Sequence, residues 1–212
     1  GKTGRSRAAP CFEGCMMPNQ NIDADTSNRT RLWMMIPLAI FGGLVGIFAV
    51  QLLSGRDAGE LPSALIGKPA PSFDLPALPG LERGGEPVPA LASTALKGDL
   101  RLVNIFASWC APCRAEHPVL MALAERYEVD IVGINYKDRD PNALKFLNEL
   151  GNPYSRVGAD HPGRTAIEFG FYGIPETFLV DAEGIVRHKI VGPIDAKKFE
   201  TLQAKIAELK GG

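Results

Sequence analysis

One stretch decides the fold: residues 109–113, with the sequence WCAPC. The run before it, residues 102–106 (LVNIF), is apolar and β-type, and we predict a buried strand there. After it, residues 111–127 place apolar side chains at the i, i+3, i+4 and i+7 spacing of an amphipathic helix. The two cysteines therefore stand between a strand and a helix, which is typical of a dithiol/disulfide redox pair.

Other chemistries of a C-x-x-C pair fit this sequence less well. A zinc site needs a second pair of ligands at a suitable spacing, and the three histidines (His117, His161 and His188) are scattered. Covalent haem attachment needs a histidine directly after the second cysteine, but Arg114 follows Cys113. We therefore predict a redox pair without a metal or a cofactor, and we assign the histidines no function.

Cys110 is predicted to be the attacking thiol. It stands at the start of the predicted helix, where unpaired backbone N–H groups and the helix dipole favour negative charge. These groups stabilise the thiolate, which is the nucleophilic form of cysteine. Cys113 follows one helical turn later and can attack a mixed disulfide formed on Cys110. Pro112 suits an early helical position, where its missing N–H matters little.

Length, charge and cysteine usage limit the class of protein. The 212 residues carry a formal net charge of −1, so no excess of Lys and Arg indicates nucleic-acid binding. The four cysteines fall into two local pairs, Cys11/Cys15 and Cys110/Cys113. A disulfide-stapled fold would spread its cysteines along the domain. We interpret the first pair as reduced cytoplasmic thiols, although its C-x-x-x-C spacing could also bind a metal.

The N-terminal part of the chain predicts a membrane anchor. Residues 1–31 are polar and are interpreted as a flexible tail, whereas residues 32–53 contain no charged side chain. About 20 such residues suffice to cross the hydrocarbon core as a helix. The alternative is a long signal peptide, but signal peptides have a shorter apolar region and a small-x-small cleavage site.

The predicted topology follows from the basic residues. Arg29 and Arg31 stand against the N-terminal end of the apolar run, and Arg56 alone lies close on the other side. The positive-inside rule then places the N-terminus in the cytoplasm. We expect a single-pass inner-membrane protein, with a linker at residues 54–66 and a periplasmic domain at residues 67–210.

The domain alternates between strand and helix patterns. Besides the strand and the helix around the cysteines, we predict strands at residues 131–135, 177–180 and 185–191 and helices at residues 142–150, 164–169 and 196–209. Gly151 is a plausible stop for one of these helices. Strand–helix–strand units followed by a strand hairpin and a helix predict an α/β fold, with a mixed sheet covered on both faces.

Together these features resemble the thioredoxin superfamily. The matching residues are the WCAPC motif, Pro118 in the following helix and the Gly-Ile-Pro run at residues 173–175. In that family the proline matching Pro175 is cis, faces the cysteines and exposes backbone that pairs with the substrate peptide. The resemblance implies a thioredoxin-like fold with a substrate groove beside Trp109 and Pro175.

A finer resemblance is to the membrane-anchored CcmG/DsbE (CycY-like) thiol:disulfide interchange proteins. Residues 170–178 (GFYGIPETF) match the G-V-x-G-x-P-E-T-F signature of that family except at Phe171, where Val is commoner. The segments at residues 67–71, 132–138 and 191–194 are also similar. The resemblance extends over residues 30–209.

That resemblance implies a role in cytochrome c biogenesis. The protein would reduce the cysteines of apocytochrome c in the periplasm before haem attachment, with the cytochrome c maturation machinery as a partner. Electrons would arrive through a transmembrane thiol transporter. A couple near thioredoxin's, at about −270 mV, lies about 150 mV below a periplasmic oxidant near −120 mV, which favours oxidation of this protein by roughly 7 kcal/mol. Without a donor it would stay oxidised and inert.

Five residues around the motif are weighed as parts of the site. Asn104 stands where thioredoxin has a buried Asp, and we interpret it as a satisfied buried amide because an amide cannot transfer a proton. The resemblance assigns proton handling to Glu116 and Glu176, and apolar surroundings would raise the pKa of Glu176. Trp109 is expected to flank an exposed sulfur. Tyr172 either packs in the core or lines the groove.

Other functions remain open at this stage. A general periplasmic disulfide oxidoreductase acting as an oxidant would have a far higher reduction potential. A copper chaperone usually has C-x-x-x-C with a distal His, whereas the domain has C-x-x-C. A factor that only holds apocytochrome or haem would not need Cys110 and Cys113.

Overall fold

The computed structural model describes residues 26–53, 64–127 and 129–210. The chain divides into two compact units, residues 1–56 and 57–212. In the first unit, helix α1 spans Thr26–Leu53. It therefore begins inside the segment that the sequence predicts as a flexible tail, because extending an existing helix costs far less than nucleating one. None of the helices in the described ranges combines the length and the hydropathy needed to cross a membrane.

Two parts of the predicted organisation lie outside the described residues. These are residues 1–25 of the tail, with Cys11 and Cys15, and residues 54–63 of the linker. The last part of the predicted linker is described and is ordered. Residues 64–67 form a turn, and the N–H of Gly67 donates to the carbonyl of Val186 at 2.8 Å.

Four two-residue strands open the second unit. They are β1 (Asp74–Leu75), β2 (Glu82–Arg83), β3 (Glu86–Pro87) and β4 (Leu91–Ala92). β1 pairs with β4 and β2 with β3, both antiparallel. The sequence does not predict them, because two residues cannot show a strand's alternating pattern. A 3₁₀ turn at Ser93–Leu96 leads into the central sheet.

The central sheet has five strands. They are β5 (Arg101–Phe106), β6 (Asp130–Tyr136), β7 (Arg156–Asp160), β8 (Glu176–Val180) and β9 (Val186–Val191). Their spatial order is β7-β6-β5-β8-β9. The first three are parallel to one another, and β8 and β9 are antiparallel to their neighbours. The predicted mixed sheet is confirmed.

Four helices belong to this unit: α2 (Ala111–Arg126), α3 (Asp140–Leu150), α4 (Arg164–Glu168) and α5 (Ala196–Lys210). The bounds of each helix agree within two residues with those of a predicted helix. The chain leaves α3 through Gly151, whose φ of 91° is in the left-handed region that glycine tolerates. Strand β7 was not predicted. Its sequence, RVGAD, is short and polar at both ends, and its Gly158 lets Leu75 pack directly against the backbone.

The sheet is covered on both faces by separate apolar clusters. Side chains of a strand point alternately to the two faces. On β5, Leu102 and Phe106 join the cluster packed under α2, α3 and α5, whereas Val103 and Ile105 join the cluster that includes Ala166 of α4. We call these the α2 face and the α4 face of the sheet.

Candidate active site

Cys110 and Cys113 form a disulfide, with their Cα atoms 5.3 Å apart. Cys110 is the N-cap of α2, and its Sγ accepts the N–H of Cys113 at 3.1 Å. Pro112 lies in the first turn of the helix, where no backbone donor is needed. After reduction, a thiolate on Cys110 at this position would keep the same donor and the positive end of the helix dipole. The predicted place of the pair at the helix N-terminus is confirmed.

The attacking sulfur is less accessible than expected. In the disulfide form Cys110 is 4% exposed and Cys113 2% exposed, so the exposed sulfur expected beside Trp109 is not observed. Both cysteines belong to the apolar cluster of the α2 face, and Ile174 packs against that cluster. The disulfide therefore presents little surface to a substrate in this form.

The loop of residues 170–175 and the cysteines lie at the same end of the central strands. β5 and β8 run antiparallel with Ile105 opposite Glu176. The chain that leaves β5 toward Cys110 therefore meets the chain that enters β8 from Pro175. The Ile174–Pro175 peptide bond is cis, as the resemblance to thioredoxins implies.

Glu116 of α2 is buried in a hydrogen-bonded network on the α2 face. Its Oε1 accepts from Asn104 Nδ2 at 3.0 Å and its Oε2 accepts from the N–H of Ile194 at 3.1 Å. Asn104 also donates to Thr177 Oγ1 and accepts from the hydroxyl of Tyr154. Asn104 is fully buried and every polar atom of its side chain is partnered, which confirms the prediction of a satisfied amide.

Burial gives Glu116 the properties of a proton-transfer group at neutral pH. Desolvation raises the pKa of Glu116 to about 7, against the lowering effect of Asn104, the Ile194 amide and the charge of Lys198. It stands three residues after Cys113, one turn along the same helix face. Burial also raises the pKa of Tyr154 well above its usual value, so its hydroxyl remains a donor to Asn104.

Glu176 is also fully buried, but on the α4 face. Its Oε1 accepts the N–H of Tyr172 at 2.7 Å, and Lys189 Nζ lies 3.0 Å from its Oε2. Desolvation raises the pKa of Glu176, as predicted, against the Tyr172 hydrogen bond and Lys189. The pair of Glu176 and Lys189 supports residues 170–175, and the proton-handling role of Glu176 stays a prediction.

Trp109 lies on the surface beside the cysteines. Its ring is 58% exposed, and its Nε1 donates to the carbonyl of Lys137 at 3.2 Å. The ring also leans on Tyr136, with centroids 6.5 Å apart, and Tyr136 packs edge-on against Phe171 at 4.8 Å. The side chain of Tyr172 is 58% exposed as well, so Tyr172 belongs to the surface of the site and not to the core.

Asp138 fixes the backbone before Cys110. Its carboxylate accepts from the N–H and the hydroxyl of Ser108, at 2.6 and 2.8 Å, and from Asn135 Nδ2 at 3.1 Å. Asp138 and Lys189 are not among the site residues predicted from the sequence. The available signals were an acidic residue two positions after β6 and a lysine inside β9, and neither signal identifies the partner of the side chain.

The three histidines lie in separate environments. His117 is buried, with its Nε2 2.9 Å from the carbonyl of Gly151, and desolvation lowers its pKa. His161 pairs with Asp140 on the surface at 2.8 Å. Burial also lowers the pKa of His188. Within the described ranges, no group of three or more His, Cys, Asp or Glu side chains could hold a metal ion.

Comparison with known proteins gives the family of this chain. Residues 65–206 match the Redoxin family. The chain is 48% identical over 162 residues to the thiol:disulfide interchange protein CycY of Rhizobium leguminosarum bv. viciae, covering 75% of this chain and 84% of that protein. It is 48% identical over 169 residues to DsbE of Pseudomonas aeruginosa, covering 79% and 88%.

The fold has matches among solved structures. A crystal structure of a thiol:disulfide interchange protein of the thioredoxin family from Chlorobium tepidum matches 65% of this chain and 94% of that chain, with 30% identity and a TM-score of 0.52. The disulfide at the N-cap of α2, the cis-proline and these similarities all indicate the same fold and the same activity. The chain is therefore a thioredoxin-fold thiol–disulfide oxidoreductase that belongs to the Redoxin family, with the DsbE and CycY thiol:disulfide interchange proteins as its relatives.

Proposed function

We propose that the protein is a periplasmic reductant that keeps the cysteines of apocytochrome c reduced for haem attachment. The supporting observation is that residues 170–178, which carry the CcmG/DsbE signature, contain the cis-proline loop and the start of β8, at the end of the sheet where the redox disulfide lies. Relatives 48% identical over most of their length carry the name thiol:disulfide interchange protein.

The reduction proceeds by two exchange steps. The Cys110 thiolate attacks one sulfur of the substrate disulfide, so a Cys110–substrate bond forms and the second substrate sulfur leaves as a thiolate. Glu116 then takes the proton of the Cys113 thiol, and the Cys113 thiolate attacks Cys110 Sγ. The first substrate sulfur leaves and the Cys110–Cys113 disulfide closes. Two electrons pass to the substrate, and both of its thiolates take up protons.

A dithiol donor must restore the reduced protein after each turnover, and we assign this step to a transmembrane thiol transporter. We further propose that the protein lies in the inner membrane, with its N-terminus in the cytoplasm. Residues 32–53 carry no charge, and the apolar side chains described on α1, from Trp33 to Val50, are largely exposed. Side chains of this kind are stabilised by lipid.

A deletion strain tests the biological role. Loss of the protein should deplete covalently assembled c-type cytochromes, while other periplasmic disulfide proteins fold normally. An added small thiol should partly restore assembly, because it reduces apocytochrome directly. Normal c-type cytochromes in the deletion strain, without a second copy of the protein, would contradict the role. Restoration by a Cys110→Ser/Cys113→Ser variant would show that the protein holds its substrate without redox chemistry.

A topology reporter tests the proposed location. A reporter that is active only outside the cytoplasm, fused after residue 60, should be active, and the protein should stay in the membrane fraction. A soluble periplasmic form that lacks residues 1–53 would show that the apolar segment is a cleaved signal.

A further inference from the structure

Lys189 is a buried charge that the exchange chemistry does not use. It lies on β9, opposite Phe178 of β8, and its side chain is 2% exposed. Placing an ammonium group on the α4 face costs free energy, since burial removes its hydration. Replacing a buried ion pair with apolar side chains is often neutral or stabilising. Stability of the fold alone therefore does not account for a lysine here.

The closest partners of the Lys189 ammonium belong to the cis-proline loop (residues 170–175) or to Glu176, the residue that follows it. Nζ donates to the carbonyl of Gly170 at 2.8 Å and lies 3.0 Å from Glu176 Oε2. It also lies 3.9 Å from the centroid of the Tyr172 ring, within the range of a cation–π contact. Nζ thus makes one hydrogen bond, one ion-pair contact and one close cation–π contact with these groups, and the ring of Phe178 on β8 lies farther away, with its centroid at 5.3 Å.

The pair Lys189–Glu176 supports the loop at two backbone groups. Lys189 binds the carbonyl of Gly170, and Glu176 binds the N–H of Tyr172 at 2.7 Å. These contacts lie on the N-terminal side of the cis bond between Ile174 and Pro175. At the other end, the N–H of Gly192 binds the carbonyl of Pro175 at 2.9 Å. The loop is thus fixed from the α4 face, away from the cysteines.

We propose that Lys189 is a positioning residue of the exchange reaction, which holds residues 170–175 in the conformation that binds the backbone of a peptide substrate. It acts through Gly170, Tyr172 and Glu176 and touches neither cysteine. This effect of Lys189 should apply to any peptide disulfide, because the loop binds backbone and not a particular side chain. The inference therefore rests on the thiol–disulfide exchange activity and not on the assignment of apocytochrome c as the substrate.

The experiment compares a peptide disulfide with a small disulfide. The full-length protein in detergent is reduced and freed of reductant. It is then mixed with a short peptide that contains a Cys-Ala-Ala-Cys disulfide or with glutathione disulfide. Thiol alkylation after an acid quench gives a second-order rate constant for each. The variants are Lys189→Met, Lys189→Arg and the control Lys205→Met, whose lysine is half-exposed and pairs with Glu208.

Lys189→Met should slow the peptide reaction about tenfold, the size of one lost charge-assisted contact. The glutathione reaction should change less than about twofold, because that substrate needs little of the loop. Lys189→Arg keeps the charge and should recover at least half of the loss on a logarithmic scale. Lys205→Met should match the wild type with both substrates.

Equal rates for Lys189→Met and the wild type, or an equal loss with both substrates, would overturn the proposal. If Lys189→Met does not fold, the double variant Lys189→Met/Glu176→Gln decides, since it leaves no unpaired buried charge. A peptide rate below that of Glu176→Gln alone, with the same glutathione rate in these two variants, supports the proposal. Equal peptide rates in the two variants contradict it. The peptide has no cytochrome sequence, so either result leaves the proposed role in cytochrome c assembly to its own test.

Discussion

Glu116 and Glu176, the two buried carboxyl groups of the site, lie on opposite faces of the central sheet. Glu116 extends from α2 to Asn104, whose partner across the strands is Thr177. Glu176 is the next residue after Pro175 and stands opposite Ile105, on the face where Lys189 lies. One carboxyl group therefore belongs to the cysteine helix and the other directly follows the cis-proline loop, so we expect the two to have different roles.

Substitution of each carboxyl group should separate proton transfer from recognition. Glu116→Gln removes a group that exchanges protons near neutral pH, so we expect it to slow the reduction of a peptide and of glutathione disulfide by the same factor, at least about tenfold. Glu176→Gln should slow the peptide reaction more than the glutathione reaction. Rate constants for both substrates check this. Equal slowing of both by Glu176→Gln would place Glu176 in proton transfer.

Glu116 should also make the stability of the protein depend on pH. Its pKa of about 7 in the folded protein lies above the ordinary value of 4.5, so the folded state binds the proton more tightly than the unfolded state. This contribution to stability is complete below pH 4.5 and is lost as the pH rises to about 7. It amounts to about 3 kcal/mol.

Glu116→Gln should lack this dependence. The difference in unfolding free energy between wild type and variant, measured by denaturant titration, should therefore fall by about 3 kcal/mol between pH 4.5 and about pH 8. Glu125→Gln, which changes an exposed carboxyl group on the same helix, serves as the control and should show a constant difference. A constant difference for Glu116→Gln would mean that folding does not raise the pKa of Glu116.

The two cysteines should behave asymmetrically. Cys110→Ser should abolish disulfide reduction, because the attacking thiol at the N-cap of α2 is gone. Cys113→Ser should accumulate a mixed disulfide between Cys110 and the substrate, because only the second thiol resolves it. Non-reducing gel electrophoresis with mass spectrometry identifies the adduct. Trapping through Cys113 in the Cys110→Ser variant would reverse the assignment.

Asp138→Asn should loosen the loop that carries Trp109 and Cys110. The amide supplies one acceptor where the carboxylate binds the N–H and hydroxyl of Ser108 and the N–H of Arg139. We expect a loss of about 2 kcal/mol in unfolding free energy and slower exchange with both disulfide substrates. Asp99→Asn, at a side chain that is 80% exposed, is the matched control. Wild-type stability of Asp138→Asn would show that these hydrogen bonds contribute nothing net.

Local pattern was enough to predict most of the fold. The apolar run of β5, the spacing of α2 and Gly151 after α3 are properties of neighbouring residues, and each element appears within two residues of its predicted bounds. Strand β7 escaped prediction because its strand character comes from pairing with β6 and from Leu75 packed on Gly158. Neither contact can be predicted from the pattern of neighbouring residues in the sequence.

The site was predictable only as far as its chemistry is local. Cys110, Cys113 and the cis-proline follow from motifs. The buried partners do not, because Lys189 is 13 residues after Glu176 in sequence and meets it only across the β8–β9 hairpin. Likewise Tyr154 reaches Asn104 from another strand connection, 50 residues away. Both carboxyl groups were predicted from the sequence, but only the structure shows that they lie on opposite faces of the sheet.

The reduction potential of the Cys110/Cys113 couple tests the central claim most directly. The full-length protein in detergent is equilibrated with dithiothreitol or glutathione redox buffers, and the reduced fraction is measured by thiol alkylation. A periplasmic reductant requires a potential well below that of the oxidising machinery, and we expect a value below about −200 mV, near that of thioredoxin at about −270 mV. A value near −120 mV would make the protein an oxidant and would contradict the account.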